Sequence, residues 1–324
     1  MMSKSLAVFT LTHPWAQKII LEAAPPGFTV KFVDINNEAE VQTFFPQADF
    51  LLAHPLTASH VALLKRCKLV QLQGVGYNGI DVDALNEAGI PLAATPQGTV
   101  IGVAEHTILL ILALYKQIVQ VHESLSQGKY DDIGWRANSH FFYQKTLAIV
   151  GLGRIGQRAA HLAKAFEPNL IYYDIFRPPA AVEQELGISY TPFDELLSQA
   201  DIISVHTPLT PETENLFGAE EFVRMKPGAL FINTSRGGTY DMDALYDNLR
   251  SGHLGGAGLD VFNPEPPPPD HPILQLPNVI CTPHMATGTV EAHQLKARGQ
   301  FENFQRVLRG ETPHNLISTL VSNA

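Results

Sequence analysis

Short apolar runs alternate with helical stretches along almost the whole chain, and this alternation constrains the fold more than any other feature. The first series of apolar runs lies between residues 6 and 95 and includes LAVFTL, TVKFVDI, DFLLAH, KLVQLQG and IPLAAT. The second begins at KTLAIVGLGRIG and continues through LIYYDIF, ADIISVHT, GALFINTSR, AGLDVF and NVICTPH. Buried strands separated by helices indicate parallel sheets. At 324 residues the chain is long enough for two such α/β domains, both doubly wound.

Helix candidates separate the strands of the second series, as crossovers between parallel strands require. Among them are FDELLSQ, AEEFVRM and DMDALYDNLRSG, the last closed by Gly252 where a left-handed C-cap is needed. A longer apolar segment, VAEHTILLILALYKQIVQVHESL, contains neither Pro nor Gly and predicts one long buried helix. Its apolar residues extend most of the way round the predicted helix, whereas packing on one core requires only one apolar stripe. This suggests a second contact surface. A homodimer is therefore the expected assembly.

The charge balance excludes several classes of partner. The formal net charge is -10, so no basic face is expected to neutralise nucleic-acid phosphates or to bind anionic membranes. The first residues form too short an apolar run for a secretory signal, and a cytoplasmic location is expected. Cys67 and Cys281 lie far apart, in no disulfide or zinc spacing.

The segment GLGRIG carries the clearest binding signal. Gly151, Gly153 and Gly156 have the GxGxxG spacing, which is weak evidence alone. Here it follows the strand-like run TLAIV and opens a helix-like run, the context in which glycines permit a tight turn and close approach of a pyrophosphate. The segment therefore predicts a dinucleotide site.

Asp174 supports this interpretation and bears on the choice of cofactor. It lies 18 residues after Gly156, at the end of the next strand-like run, close to the spacing of a carboxylate that binds the adenosine ribose. Such a carboxylate repels a 2'-phosphate, so NAD is favoured over NADP. Arg177 would offset that repulsion if it turned inward.

Three polar residues follow predicted strands of the second series, where ligands of open α/β sheets bind. Arg236 offers a planar fork that can hold the carboxylate of a 2-keto acid. His284 suits proton exchange with the carbonyl oxygen near neutral pH, and Glu265 would orient and charge the imidazole. Taken singly, Arg236 fits a surface turn equally well, and Glu265 and His284 fit a solvated charge and a structural histidine better. The prediction therefore depends on their joint placement. No HExxH spacing calls for a metal and no GxSxG elbow supplies a nucleophile.

Together GLGRIG, Asp174, VHTPLTPET, MKPGALFINTSRGG, GAGLDVFNPEP and LPNVICTPH resemble the D-isomer-specific 2-hydroxyacid dehydrogenases over nearly the whole chain. The resemblance implies that a Rossmann NAD-binding domain (98–287) is inserted in a flavodoxin-like substrate domain (1–97 plus 288–324), with substrate in the interdomain cleft. It also implies roles for further residues. Val75 and Gly76 would meet the substrate carboxylate through backbone N–H groups. The cofactor-binding residues would include Arg154 and Ile155 at the pyrophosphate, His206, Thr207 and Pro208 at the adenine and ribose, and Thr234, Asp260 and His284 at the nicotinamide.

Departures from the family pattern narrow the substrate. Related formate dehydrogenases carry a glutamine in place of Glu265, so formate is disfavoured. LLAHPLTAS has no Arg where phosphoglycerate dehydrogenases often place one, which makes a phosphorylated substrate less expected. Glyoxylate, hydroxypyruvate, pyruvate and bulkier keto acids remain open. Two other functions also remain: phosphite oxidation at a similar site, and an NAD-sensing binding protein like the related corepressors.

Overall fold

The computed structural model describes residues 4–11 and 13–317, which form two compact units. Unit 1 comprises Met1–Thr99 and Gly288–Ala324, and unit 2 comprises Val100–Thr287. The described strands are β1 (Ser5–Phe9), β2 (Phe28–Phe32), β3 (Phe50–Leu52), β4 (Leu69–Gln71), β5 (Leu92–Ala93), β6 (Thr146–Val150), β7 (Asn169–Tyr173), β8 (Ile188–Tyr190), β9 (Ile202–Val205), β10 (Leu230–Asn233), β11 (Gly256–Leu259) and β12 (Val279–Cys281).

The described helices alternate with these strands. They are α1 (Pro14–Ala23), α2 (Glu38–Phe44), α3 (Ala58–Val61), α4 (Val82–Glu87), α5 (Thr99–Lys116), α6 (Ile118–Ser126), α7 (Arg154–Ala163), α8 (Ala180–Leu186), α9 (Phe193–Gln199), α10 (Ala219–Arg224), α11 (Met242–Arg250) and α12 (Val290–Leu308). The helices predicted from FDELLSQ, AEEFVRM and DMDALYDNLRSG are α9, α10 and α11. Gly252 follows α11 with φ +78, as a left-handed C-cap requires.

The sheet of unit 1 has the strand order β2-β1-β3-β4-β5, and all its described pairs are parallel. This is the flavodoxin-like order. Strands β3, β4 and β5 are buried at every residue because helices cover both faces of a parallel sheet. Helix α12 returns to this sheet from the far end of the sequence, and its Phe304 stacks on Phe50 with ring centroids 4.5 Å apart.

The sheet of unit 2 has the order β12-β11-β10-β9-β6-β7-β8, again with parallel pairs. The direction of winding reverses between β6 and β9, which places the crevice of a Rossmann sheet at their carboxyl ends. The prediction of two doubly wound parallel sheets from the alternating pattern is therefore confirmed.

The long apolar segment does not form one helix. Gln117 has φ +50, and this left-handed residue separates α5 from α6. Helix α5 has the length and composition of a membrane span, yet 61% of it is buried inside the protein. Core helices of globular proteins can have the same length and composition, so we interpret α5 as a buried helix of unit 2.

Candidate active site

The glycine-rich turn lies between β6 and α7, and its backbone geometry requires glycine. Gly151 has φ +95, and a Cβ there would lie 2.9 Å from the backbone carbon of His206. A Cβ on Gly156 would lie 2.2 Å from the carbonyl oxygen of Gly151, because α7 packs directly on the turn. A Cβ on Gly153, the N-cap of α7, would meet only open space. Gly151 and Gly156 therefore shape the turn, and Gly153 leaves room for a ligand.

The first turn of α7 is open at this place. Arg154 is exposed and Ile155 is half-buried. Gly153 has no side chain to cap the helix, so N–H groups of the first turn are available, and the helix dipole places positive potential there. A pyrophosphate fits such a helix N-terminus.

Asp174 follows β7 beside this turn. Its Oδ2 accepts a hydrogen bond from the Leu152 N–H at 2.7 Å, and its Oδ1 accepts one from the Phe176 N–H at 2.9 Å. These bonds fix the carboxylate while each oxygen keeps a lone pair for a ribose hydroxyl. Arg177 does not turn toward it. Its guanidinium lies 3.0 Å from Glu183 and 4.6 Å from the centre of the Tyr190 ring.

His206, Thr207 and Pro208 follow β9, across the switch point from the glycine turn. Burial lowers the pKa of His206 to about 4, so its ring is neutral at pH 7. One ring nitrogen pairs with the Ser204 hydroxyl at 2.9 Å. The other, Nδ1, and the Thr207 Oγ1 are buried with no partner among the described residues. Burying a polar atom without a hydrogen-bond partner costs free energy, and a nucleotide bound here would supply the missing partners.

Arg236 lies on a tight turn that follows β10. The buried side chain of Asn233 holds this turn: its amide donates to Thr239 Oγ1 at 2.9 Å, and its oxygen accepts from the Ser235 N–H at 2.9 Å. A Cβ on Gly237 would lie 1.9 Å from the carbonyl oxygen of Phe262. The turn therefore packs against the segment that leads to Glu265, and only glycine allows this approach.

His284 and Glu265 form a direct pair. The His284 Nδ1 lies 2.8 Å from the Glu265 Oε2, and the other carboxylate oxygen accepts from the Phe262 N–H at 3.3 Å. With Nδ1 committed to the carboxylate, Nε2 has no hydrogen-bond partner among the residues described. Such an imidazole is held in orientation by one nitrogen and can exchange a proton through the other.

Arg236 acts electrostatically on the same pair. Burial raises the pKa of Glu265, but the hydrogen bond from His284, its charge and the charge of Arg236 outweigh this effect, and the net pKa is lowered. Burial lowers the pKa of Arg236, and the Glu265 charge opposes that shift. The three predicted catalytic residues are therefore close enough for their charges to interact, and the Glu265 carboxylate is ionised at neutral pH.

Asp260 anchors the segment that carries His284. Its fully buried carboxylate accepts hydrogen bonds from the Thr282 hydroxyl at 2.6 Å, from the Met285 N–H at 2.8 Å and from the Ala286 N–H at 2.9 Å. His106 approaches the same carboxylate at 3.8 Å. These bonds explain how His284 keeps its left-handed backbone, with φ +49.

The remaining predicted residues occupy separate positions. Thr234 is buried and its hydroxyl lies 3.1 Å from that of Thr107 on α5. Val75 and Gly76 belong to unit 1, in the loop after β4, where Val75 is 39% exposed. Neither of their N–H groups donates a hydrogen bond within the described part of the chain. Both remain available to an anion.

Sequence reasoning missed the residues that hold this site in place. Asn233, Thr282 and His106 contact other protein groups, and none lies in a spacing motif. The first two flank predicted residues closely in sequence, and a polar residue at or just after the end of a predicted strand was their signal. His106 lies on α5, 154 residues before Asp260, and no local pattern connects them.

Comparison with known proteins agrees with this geometry. The family model "D-isomer specific 2-hydroxyacid dehydrogenase, NAD binding domain" matches residues 108–286. A glyoxylate reductase of Korarchaeum cryptofilum is 38% identical over 271 residues, which are 83% of this chain and 81% of that protein. A D-3-phosphoglycerate dehydrogenase of Methanocaldococcus jannaschii is 39% identical over 81% of this chain, but the match spans only 50% of that protein.

A solved structure extends the likeness to nearly the whole chain. The TT0316 protein of Thermus thermophilus superposes with a TM-score of 0.86 and 33% identity, over 96% of this chain and 99% of that one.

A Rossmann sheet with a glycine turn that leaves room for a pyrophosphate is typical of nicotinamide-dependent dehydrogenases, and the pair of His284 and Glu265 fits that class. Within that class, the chain belongs to the D-isomer specific 2-hydroxyacid dehydrogenase family and is an NAD-dependent enzyme of it. The resemblance noted in the sequence is thereby confirmed.

Proposed function

We propose that this enzyme transfers a hydride between NAD(H) and a small D-2-hydroxy acid or its 2-keto counterpart. Glyoxylate, hydroxypyruvate and pyruvate are the preferred candidates. The glyoxylate reductase of K. cryptofilum supports a small substrate, because it matches this chain over most of both lengths. The phosphoglycerate dehydrogenase named above is longer, and the chain spans about half of it.

The hydrogen bond between His284 and Glu265 carries the proposal. Bound NADH would supply the hydride. In the direction of reduction, His284 protonates the substrate's carbonyl oxygen through Nε2, while Glu265 holds the ring by Nδ1. Arg236 binds the substrate carboxylate and polarises the neighbouring carbonyl. Val75 and Gly76 are proposed to add N–H donors to that carboxylate.

The cofactor is proposed to be NAD rather than NADP. Asp174 presents a fixed carboxylate, and Arg177, which could offset its charge, is engaged by Glu183 and Tyr190. The resemblance assigns the nicotinamide end to Thr234 and Asp260, and the pyrophosphate to the first turn of α7. Comparing kcat/KM for the two cofactors tests the assignment, and a preference for NADP would contradict it.

The decisive experiment follows NADH consumption with a panel of small 2-keto acids, 3-phosphohydroxypyruvate included. We expect turnover with at least one unphosphorylated acid. Phosphite with NAD is the control for the alternative of phosphite oxidation. Turnover on none of them would favour an NAD-sensing binding protein.

We propose that the enzyme is a homodimer through the segment 101–143 of unit 2. Large apolar side chains are exposed there in the single chain: Ile101, Leu109, Ile118, Val119, Leu125, Tyr130, Ile133, Phe141 and Tyr143. Exposed apolar groups at this density favour burial by a partner. Sedimentation that finds only monomer at micromolar concentration would refute the dimer. A cytoplasmic location without nucleic-acid or membrane partners stays a prediction.

A further inference from the structure

A small pocket opens in unit 1, and none of the residues that line it has been assigned a role above. It lies where Leu11 follows β1 and Gln73 follows β4, at the carboxyl ends of parallel strands. Alanine and isoleucine side chains of α1 form one wall. His293, Lys296 and Gln300 of α12 form the other. Carboxyl ends of strands in open α/β sheets are where ligands bind.

Lys296 is the unusual member of this pocket. It is only 4% exposed, and its ammonium has no hydrogen bond or ion pair with any residue the structure describes. No acidic residue lines the pocket within the described part of the chain. Burial without a counter-charge lowers the pKa of Lys296 to about 8, so the group still carries its charge at pH 7. A buried cation without a partner is costly, and an anion would offset that cost.

A row of buried polar residues on α12 leads to the pocket. Asn303, furthest from it, is satisfied: its amide donates to Gln71 at 2.9 Å and to the carbonyl of His314 at 3.0 Å. One turn nearer, Gln300 is 1% exposed and its Oε1 has no partner among the described residues. Lys296 comes next, also without a partner there. Protein partners therefore disappear toward the pocket, and an anion there would accept from Lys296 and from the Gln300 Nε2, because the Gln300 Oε1 is itself an acceptor.

We propose that this pocket binds a carboxylate group through Lys296 and the Gln300 amide. The pocket is small, so one group enters it rather than a whole molecule, and the apolar wall of α1 suits the aliphatic chain behind a carboxylate. The carboxylate comes either from a free small acid or from the far end of a substrate. The second source rests on the proposed function.

Trp15 provides a direct readout, because its ring meets that of His293 edge-on, with centroids 4.6 Å apart. The chain has two tryptophans, so Trp135→Phe leaves Trp15 as the only one. In that background we expect acetate, titrated against chloride at constant ionic strength, to change Trp15 emission saturably. An acetate response no different from chloride overturns the proposal. Tighter binding of inorganic phosphate than of acetate overturns the choice of carboxylate.

Variants locate the binding. Lys296→Met removes the charge at similar length, and we expect acetate affinity to fall about 10-fold to 100-fold, the worth of a hydrogen bond to a charged group. Gln300→Leu is the second variant, expected to weaken acetate less. Lys65→Met, on an exposed lysine of the same unit, is the matched control and leaves affinity unchanged. Equal affinity in Lys296→Met and Lys65→Met overturns the proposal.

Kinetics then separate the two sources. If the far end of the substrate enters the pocket, Lys296→Met raises KM for a dicarboxylic 2-keto acid such as oxaloacetate while KM for pyruvate stays constant. If Lys296→Met leaves the ratio of the two KM values unchanged, the pocket does not bind the far end of the substrate, and a free small acid is its ligand. Because the fluorescence titration requires no turnover, failure of the proposed function does not affect it.

Discussion

Gly237→Ala tests whether the turn of Arg236 must lie against the segment leading to Glu265. A Cβ at residue 237 would lie 1.9 Å from the carbonyl oxygen of Phe262, whereas real Cβ contacts are at least 3.0 Å, so the turn must move by the difference, 1.1 Å. Displacement of a substrate-positioning group by about 1 Å costs about 10²-fold in rate. We therefore expect kcat/KM for the best keto acid to fall by about that factor.

The assay is steady-state NADH oxidation, with the NADH dissociation constant measured separately. The dinucleotide turn lies on other strands, so NADH binding should be retained. Gly218→Ala is the matched control, because the nearest atom to its Cβ would be in the flexible carboxylate of Glu221, at 3.3 Å, and the nearest backbone atom would lie at an ordinary contact distance of 3.9 Å. If Gly237→Ala retained full kcat/KM while folding normally, the reasoning from close packing would be refuted.

Four further substitutions test other parts of the protein. His284→Ala should lower kcat by about 10² to 10⁴-fold, as loss of a general acid does, whereas Arg236→Ala should chiefly raise KM. An unaltered KM would contradict carboxylate binding by Arg236. Asp174→Asn should lower kcat/KM with NAD by about tenfold or more while reducing the discrimination against NADP, and equal loss with both cofactors would argue against a ribose contact. Lys296→Met should raise the free energy of unfolding at pH 7 by about 3 kcal/mol, since burial lowers the lysine pKa from 10.5 to about 8. Between these two pKa values the unfolded state of the wild type binds more protons than the folded state, so the wild type gains stability as pH rises and the variant lacks that gain. If chemical denaturation at several pH values gave both proteins the same dependence of unfolding free energy on pH, the desolvation argument would be contradicted.

The sequence was most informative where function depends on local spacing. The glycine turn, the strands and the residues after them follow from periodicity, because strand ends of one parallel sheet share an edge. His284, Glu265 and Arg236 were therefore predictable as a group. Their distances were not, since the 2.8 Å bond between His284 and Glu265 depends on loops of no regular pattern.

Long-range polar contacts were beyond sequence reasoning. The pairing of His106 with Thr282 joins residues 176 apart, and a lone histidine on an apolar helix gives no indication of its partner. Composition alone also failed for the helix break at Gln117. Glutamine is a good helix former, so its helix propensity gives no indication of its left-handed conformation there.

The hydrogen bond between Gln71 and Asn303 joins residues 232 positions apart within unit 1. During synthesis, the first five strands leave the ribosome long before α12 exists, and their aromatic face stays uncovered until then. The inserted unit has all its strands by residue 281 and can fold first. The nascent chain is therefore most in need of protection from aggregation during the period when its first five strands still lack α12.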